Sequence, residues 1–188
     1  PERGFSFSQD GPLDMRMDQS QKMDACQVVN TYSEKELADI FFYYGEERKS
    51  RKIAHSIVVA RQRKPIATTG ELEKIIWKCN PGRRGGIHPA TRVFMALRIY
   101  INHELDELPK ALESVVQFMN EGARLVVLSY HSLEDRIVKN FFRNSQQLEV
   151  INRKPMIPSR QEIQSNPRAR SARMRVAQKM MREEGTPA

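Results

Sequence analysis

A short apolar segment that runs directly into a polar, titratable octapeptide is the feature that most constrains how this chain folds. Residues 125–128 are apolar and of the type found in strands, and residues 129–136 read SYHSLEDR. A pattern of helical spacing begins at Ile137. Open α/β sheets place their chemistry where a strand ends and a helix begins. The alternative is a structural junction, in which Ser132 and Asp135 cap the start of the helix.

The first half of the chain is predicted to be helical. Apolar residues at helical spacing indicate helices and no strand over residues 25–80, with capping boxes that begin at Ser33 and Thr68 and a stop at Gly45. The residues before this stretch read as a loop, in which the alternating segment 13–18 is a short strand or an extended ribbon. The sequence therefore predicts a compact helical unit.

The second half is predicted to alternate helices with strands. After a glycine-rich break, one helix runs from His88 to Leu105 and the next begins near Pro109. The elements that follow are expected to be a strand at 124–130, a helix at 133–143, a strand at 148–151, a loop at 152–167 and, in preference to a frayed helix, an edge strand at 172–179. This order predicts an α/β fold that contains the second half of a doubly wound sheet.

The chain is strongly basic, with a formal net charge of +8. Its cations are clustered: nine Lys or Arg accompany one acid between residues 153 and 182, and seven accompany two acids between residues 46 and 64. Clustered positive charge predicts an anionic partner, usually RNA or DNA. No membrane partner is expected, because no apolar run approaches the ~20 residues that a membrane span requires.

The cysteines and histidines predict no metal site. Cys26 and Cys79 have neither CxxC spacing nor neighbouring histidines, so free thiols in a reducing, cytoplasmic setting are expected. No group of His, Cys and carboxylate residues has the sequence spacing of a metal site.

Five segments, in order along the chain, resemble the signatures of one bacterial family. They are residues 2–7 with 10–18 (ERGFSF and DGPLDMRMD), 45–48 (GEER), 88–94 (HPATRVF), 129–136 (SYHSLEDR, where the family usually has SFHSLEDR) and 166–171 (NPRARS). The family is that of bacterial ribosomal RNA small-subunit methyltransferase H, also called MraW. The resemblance extends over essentially the whole chain.

The resemblance implies an enzyme that transfers a methyl group from S-adenosylmethionine to the exocyclic N4 of a cytidine in the decoding centre. The implied fold is a Rossmann-like methyltransferase domain with an all-helical insertion. Residues 1–19 would be a signature loop that joins the domains, 20–87 the substrate-binding insertion, and 88–188 the C-terminal part of the Rossmann-like domain. The family's cofactor-binding residues precede the ERGFSF segment. We therefore expect no cofactor-binding residue here, and a C-terminal portion that is inactive alone.

The chemistry of cytosine N4 identifies two catalytic candidates. The N4 lone pair is delocalised into the ring, so the base must be oriented outside the stack and its proton accepted. His131 is expected to orient the base or accept the proton, unless it is a capping or core histidine. Tyr130 is expected to stack on the cytosine, unless it is a buried aromatic at the strand end.

Candidates for contact with RNA phosphates are cations in loops and near helix starts, namely Arg83, Arg84, His88, Arg92, Arg136, Arg168 and Arg170. The alternative for most of them is a solvated loop or tail, and the favoured alternative for Arg136 is a pair with Asp135 at the helix start. Residues expected to line the substrate cleft, or else to pair with one another as a polar brace, are Asp10, Asp14, Arg16 and Asp18.

The expected partner is small-subunit ribosomal RNA or the ribosomal subunit, and a homodimer is one option for the oligomeric state. A non-enzymatic RNA-binding module is the alternative function. A helical DNA-binding regulator is less favoured, because residues 48–64 offer Arg and Lys but few Asn or Gln to read bases.

Overall fold

The computed structural model describes residues 2–82 and 87–181. In chain order, the helices are α1 (Ala25–Thr31), α2 (Glu34–Tyr43), α3 (Ser50–Arg61), α4 (Thr69–Cys79), α5 (Pro89–Ile101), α6 (Glu104–Phe118), α7 (Ser132–Asn144) and α8 (Arg160–Ser165). The strands are β1 (Arg124–Ser129), β2 (Leu148–Val150) and β3 (Arg173–Lys179), and a 3₁₀ turn spans Pro167–Ser171. The predicted α/β class is confirmed. None of the helices described is long and apolar enough to cross a membrane.

The chain divides into two compact units, Pro1–His103 and Glu104–Ala188. In the first unit, α1–α5 enclose one apolar core, to which Leu13 and Met15 of the N-terminal segment contribute fully buried side chains. In the second unit, α6 and α7 enclose a smaller core against the sheet. This division by contacts differs from the three-part division expected from the sequence, because α5 packs with the helices before it. The three-part division refers to a whole methyltransferase and stays a prediction.

Local sequence signals fix the helices of the first unit. The capping boxes at Ser33 and Thr68 are confirmed, each with the side chain accepting the N–H three residues on. Gly45 follows α2 as predicted, but the left-handed residue is Glu46, with φ of 49°. A Cβ at Gly45 would lie 2.7 Å from the carbonyl oxygens of Phe41 and Arg92. Close backbone approach therefore explains the glycine.

The N-terminal segment is a folded loop rather than a strand. Residue Met15 has a φ of 64°, a left-handed conformation that a strand does not accommodate. The isolated bridge in this region joins Pro12 to Thr68, outside the segment 13–18. The expected strand or ribbon is therefore wrong. The alternation instead reflects the burial of Leu13 and Met15.

Two predicted helix boundaries in the middle of the chain are also wrong. His103 has a φ of 50°, so the helix that begins after His88 ends before Leu105. The next helix begins at Glu104 and contains Pro109. Pro109 is the sixth residue of α6, so it lies inside the helix and removes the bond that an N–H there would donate to the carbonyl oxygen of Leu105.

The sheet has the order β1-β3-β2, and β3 is antiparallel to both neighbours. The final strand is confirmed, but it is central rather than an edge strand. Ala177, paired with Leu125 on one side and Val150 on the other, is fully buried beneath the helices. The predicted loop at 152–167 contains α8, which Ser159 caps.

Candidate functional site

The junction between β1 and α7 is a capped helix start. His131 is the N-cap, and its Nδ1 accepts the N–H of Glu134 at 3.3 Å. Oε2 of Glu134 accepts the N–H of Tyr130 at 2.9 Å. The cap therefore lies one residue earlier than the predicted Ser132. The side chain of Tyr130 is 56% exposed, so it is not the buried aromatic that was the alternative.

The second nitrogen of His131 is a buried donor. Because Nδ1 accepts a backbone N–H, the neutral ring carries its proton on Nε2. Nε2 lies 3.1 Å from Oε1 of Glu134, but the contact lacks hydrogen-bond geometry. Burial alone would raise the pKa of Glu134, yet the His131 ring and the Tyr130 N–H outweigh it and the pKa is lowered. Glu134 therefore stays ionised beside the imidazole.

A second acidic residue, Glu104, lies close to His131 and Glu134. Potential ligand atoms of Glu104, His131 and Glu134 all lie within 4.8 Å of one another. A metal at Nε2 would need the lone pair that this atom lacks while Nδ1 caps the helix. The cluster therefore suits a helix cap better than a metal ion. Sequence spacing could not reveal it, because Glu104 is remote in the chain.

A buried ion pair next to the junction was also not predicted. Arg175 of β3 donates two hydrogen bonds to Asp135 of α7, at 2.6 and 3.1 Å, and Arg173 adds one at 3.2 Å. Burial alone would raise the pKa of Asp135, but the two guanidinium groups lower it. The pair fastens the start of α7 to the sheet.

The four residues expected at the substrate cleft all accept or donate hydrogen bonds within the chain. Asp10 accepts the N–H of Gly70 at 2.8 Å, a bond that lowers the pKa of Asp10. Asp14 and Arg16 share two hydrogen bonds, at 2.7 and 2.8 Å, which lower the pKa of Asp14. Asp18 accepts a backbone N–H two residues on. Only Asp14 and Arg16 form the mutual pair of the polar brace, and the cleft role stays a prediction.

His88 is enclosed by aromatic rings in the first unit. The rings of Phe7 and Trp77 stack on it, with centroids at 4.7 and 4.9 Å. Its Nδ1 accepts the N–H of Ala90 at 3.2 Å, and its Nε2 lies 3.1 Å from a carboxylate oxygen of Glu73. Both ring nitrogens are therefore occupied, which favours a structural role over a phosphate contact.

The other candidates for contact with RNA phosphates lie in both units. Arg83 and Arg84 lie outside the described residues. Arg92 is exposed and donates to the carbonyl oxygen of Glu46 at 3.2 Å, which joins two of the signature segments. The candidates of the second unit are all exposed: Arg136 in α7, and Arg168 and Arg170 in the 3₁₀ turn.

Comparison with known proteins gives this chain a family. The model of the MraW methylase family matches residues 1–180. Two proteins named ribosomal RNA small subunit methyltransferase H are each 52% identical to this chain. The alignment with the protein of Cyanothece sp. covers 98% of this chain and 62% of the relative, and that with the protein of Acaryochloris marina covers 96% and 60%. The protein of that name in Hydrogenobaculum sp. is also 52% identical (94% and 60%). The chain thus spans about 60% of the length of these relatives. This chain belongs to the MraW methylase family.

Proposed function

We propose that the whole protein containing this chain transfers a methyl group from S-adenosylmethionine to the exocyclic N4 of a cytidine in the decoding centre of small-subunit ribosomal RNA. The observation that carries the proposal is membership of the MraW methylase family over residues 1–180. The names of the relatives support the RNA as substrate, either free or within the subunit. The net charge of +8 suits such a polyanion.

The second unit is proposed to be the closing half of a Rossmann-like methyltransferase domain, and the helices of the first unit an insertion that binds substrate. β1, α7 and β2 follow one another as strand, helix and strand, with β3 antiparallel between the two strands. Val126 and Leu128, on the sheet face away from α7, are more than half exposed. Doubly wound sheets are covered on both faces, so this exposure supports a further layer over that face in the whole protein.

The β1–α7 junction does not by itself fit S-adenosylmethionine. At the β1–α7 junction, the N–H groups of Tyr130 and Glu134 already bind a carboxylate and an imidazole. They are therefore not free to hold the carboxylate or ribose of the cofactor. We propose that the cofactor is held by the part of the relatives' length that this chain does not span.

The chain's own contribution is proposed to be the orientation of the cytosine. Tyr130 is exposed at the end of β1, where an aromatic ring can stack on an unpaired base. Nε2 of His131 is buried, so this residue does not reach an incoming base in the structure. His131 is therefore proposed as a positioning residue, which holds Glu134 and, through it, the backbone of Tyr130.

Transfer of tritiated methyl groups to small-subunit ribosomal RNA, measured with the whole protein, tests these roles. Tyr130→Ala is expected to lower kcat/KM by about 10-fold or more, the usual effect of losing one stacked base, and Tyr130→Phe is expected to retain activity. His131→Asn retains a capping side chain, so it is expected to keep more turnover than His131→Ala, with RNA affinity little changed in both. Wild-type kinetics in both alanine variants would overturn the assignment.

A non-enzymatic RNA-binding module is the second candidate. The clustered cations favour it, since charge alone supports non-specific binding to RNA. Such a module would bind the RNA with no methyl transfer, whichever residue stands at position 130 or 131.

A further inference from the structure

A groove of about 450 Å³ lies in the first unit, between the end of α2 and the start of α3. It is separate from the β1–α7 junction, and none of the RNA candidates derived from the sequence lines it. The residues that matter here are Phe42, Tyr43, Arg48, Lys49, Arg51 and Lys52. We call this feature the α2–α3 groove.

Three cations of the α2–α3 groove are available to a ligand. Among the described residues, the side chains of Arg48, Arg51 and Lys52 have no ion-pair or hydrogen-bond partner, and all three are exposed. Lys49 differs, because its Nζ donates to the side-chain oxygen of Asn80 at 2.8 Å. The groove has one acid, Asp39. Its charge is therefore strongly positive, which fits a ligand with several negative charges.

Two exposed aromatic rings accompany these cations. Phe42 is 51% and Tyr43 65% exposed, and their rings meet edge to face with centroids 5.2 Å apart. Neither side chain contributes to the core of the unit. Adjacent exposed rings beside free cations are the arrangement with which proteins bind single-stranded nucleic acid, because bases stack on the rings while cations bind phosphates. A phosphate-only ligand would leave both rings unexplained.

We propose that the α2–α3 groove binds single-stranded RNA. Phe42 and Tyr43 stack on unpaired bases, and Arg48, Arg51 and Lys52 bind the backbone phosphates. The positive potential comes from these side chains rather than from the start of α3, where the carboxylate of Glu47 accepts the N–H of Lys49 at 2.8 Å. The inference deepens the proposed function, on which it rests only for the identity of the RNA. It assigns a surface of the first unit that holds part of the RNA substrate.

Fluorescence anisotropy of a labelled single-stranded RNA of about 12 nucleotides, titrated with the whole protein, tests the groove. Arg51→Gln combined with Lys52→Gln is expected to raise Kd about 10-fold and to reduce the slope of log Kd against log salt by about 1.4. Tyr43→Ala is expected to raise Kd about 10-fold for this RNA, and to leave Kd unchanged for an abasic RNA of equal length. Tyr43→Phe is expected to bind as the wild type.

The matched control removes two exposed cations elsewhere in the same unit, by Arg63→Gln just after α3 and Lys74→Gln on α4. Its Kd is expected to change by about twofold or less, because distant charges are screened. Circular dichroism checks that each variant is folded. Equal weakening by the control and groove variants, or wild-type binding by the groove variants, would overturn the proposal.

The experiments test the α2–α3 groove and the proposed function independently. Methyl transfer by the wild-type protein, with groove variants that bind normally, would remove the groove and keep the function. Weakened RNA binding in the groove variants, with no methyl transfer by the wild type, would keep the groove and remove the function.

Discussion

At the scale of single residues, buried charge joins two elements of the second unit. Asp135 of α7 and Arg175 of β3 are each 6% exposed, so water cannot replace either partner. When one partner of such a pair is removed, the other charge stays buried without compensation. The loss is then larger than the net contribution of the intact pair.

Asp135→Asn is therefore expected to lower the free energy of unfolding of the second unit by about 3–5 kcal/mol. Asp135→Leu combined with Arg175→Met removes both charges and is expected to recover most of this loss. Urea denaturation followed by circular dichroism measures both. A loss of about 1 kcal/mol or less for the single variant, as for a surface pair, would contradict the prediction.

The carboxylate of Asp135 also makes the stability of the folded protein depend on pH. The pKa of Asp135 is lower in the folded protein than its ordinary value of 3.8. The ion pair therefore contributes its full stability above that value, and the contribution is lost as the pH falls through the lower folded pKa. Thermal unfolding between about pH 5 and about pH 3 should show a smaller loss of stability in Asp135→Asn than in the wild type. Parallel curves would contradict this account.

The junction residues could be predicted from sequence only where their partners are local. Residues 129–136 mark the end of a strand and the start of a helix, and His131 caps α7 by accepting the N–H of Glu134 three residues on. Glu104 and Arg175 could not be predicted as neighbours, because only the packing of the second unit brings them to the junction. Burial of the His131 Nε2 atom, on which the proposed positioning role rests, likewise depends on packing.

At the scale of elements, helix starts in the first unit rest on short-range hydrogen bonds. At α4, the hydroxyl of Thr68 accepts the N–H of Glu71 at 3.2 Å, and the carboxylate of Glu71 accepts the N–H of Thr68 at 3.3 Å. Asp10 adds a bond to the N–H of Gly70 from outside the helix. The two bonds between Thr68 and Glu71 are local in sequence, whereas the bond between Asp10 and Gly70 joins residues that are distant in sequence.

Thr68→Ala is expected to lower the free energy of unfolding of the first unit by about 1 kcal/mol, because it removes the N-cap acceptor. Thr31→Ala, at the exposed last residue of α1, is the matched control and is expected to change stability by about 0.5 kcal/mol or less. Chemical denaturation of both variants measures the difference. Equal losses would mean that the capping box contributes nothing specific.

This difference between local and distant contacts explains which elements the sequence predicts. Helices α2, α3 and α4 carry their own apolar spacing and boundary signals, and all three are confirmed. The central place of β3 depends on pairing with two strands that are distant in the chain, so the alternation over 172–179 predicted a strand but not its neighbours. Pro109 misled the prediction of α6, because the helix begins at Glu104 and continues through the proline at its sixth position.

At the scale of the whole molecule, the effect of the net charge of +8 on binding depends on where the cations lie. In the first unit, the cations of 46–64 supply the α2–α3 groove. In the second unit, exposed arginines occur on α7 and in the 3₁₀ turn. Each unit therefore carries exposed cations of its own.

Binding of single-stranded RNA is expected to weaken steeply with salt. If Arg48, Arg51 and Lys52 neutralise three phosphates, the slope of log affinity against log salt is about −2.1. A fourfold rise in salt then weakens binding about 20-fold, and further contacts make the loss larger. Anisotropy titrations across a salt series measure the slope. A slope near zero would contradict binding through phosphates.

The most direct test of the central claim is the position of the methyl group. The whole protein is incubated with S-adenosylmethionine and unmodified small-subunit ribosomal RNA, and the digested nucleosides are identified by mass spectrometry. The account predicts one methyl group on the exocyclic N4 of a decoding-centre cytidine, with less product in Tyr130→Ala than in Tyr130→Phe. A methyl group on any other atom, or RNA that binds and stays unmodified, would contradict it.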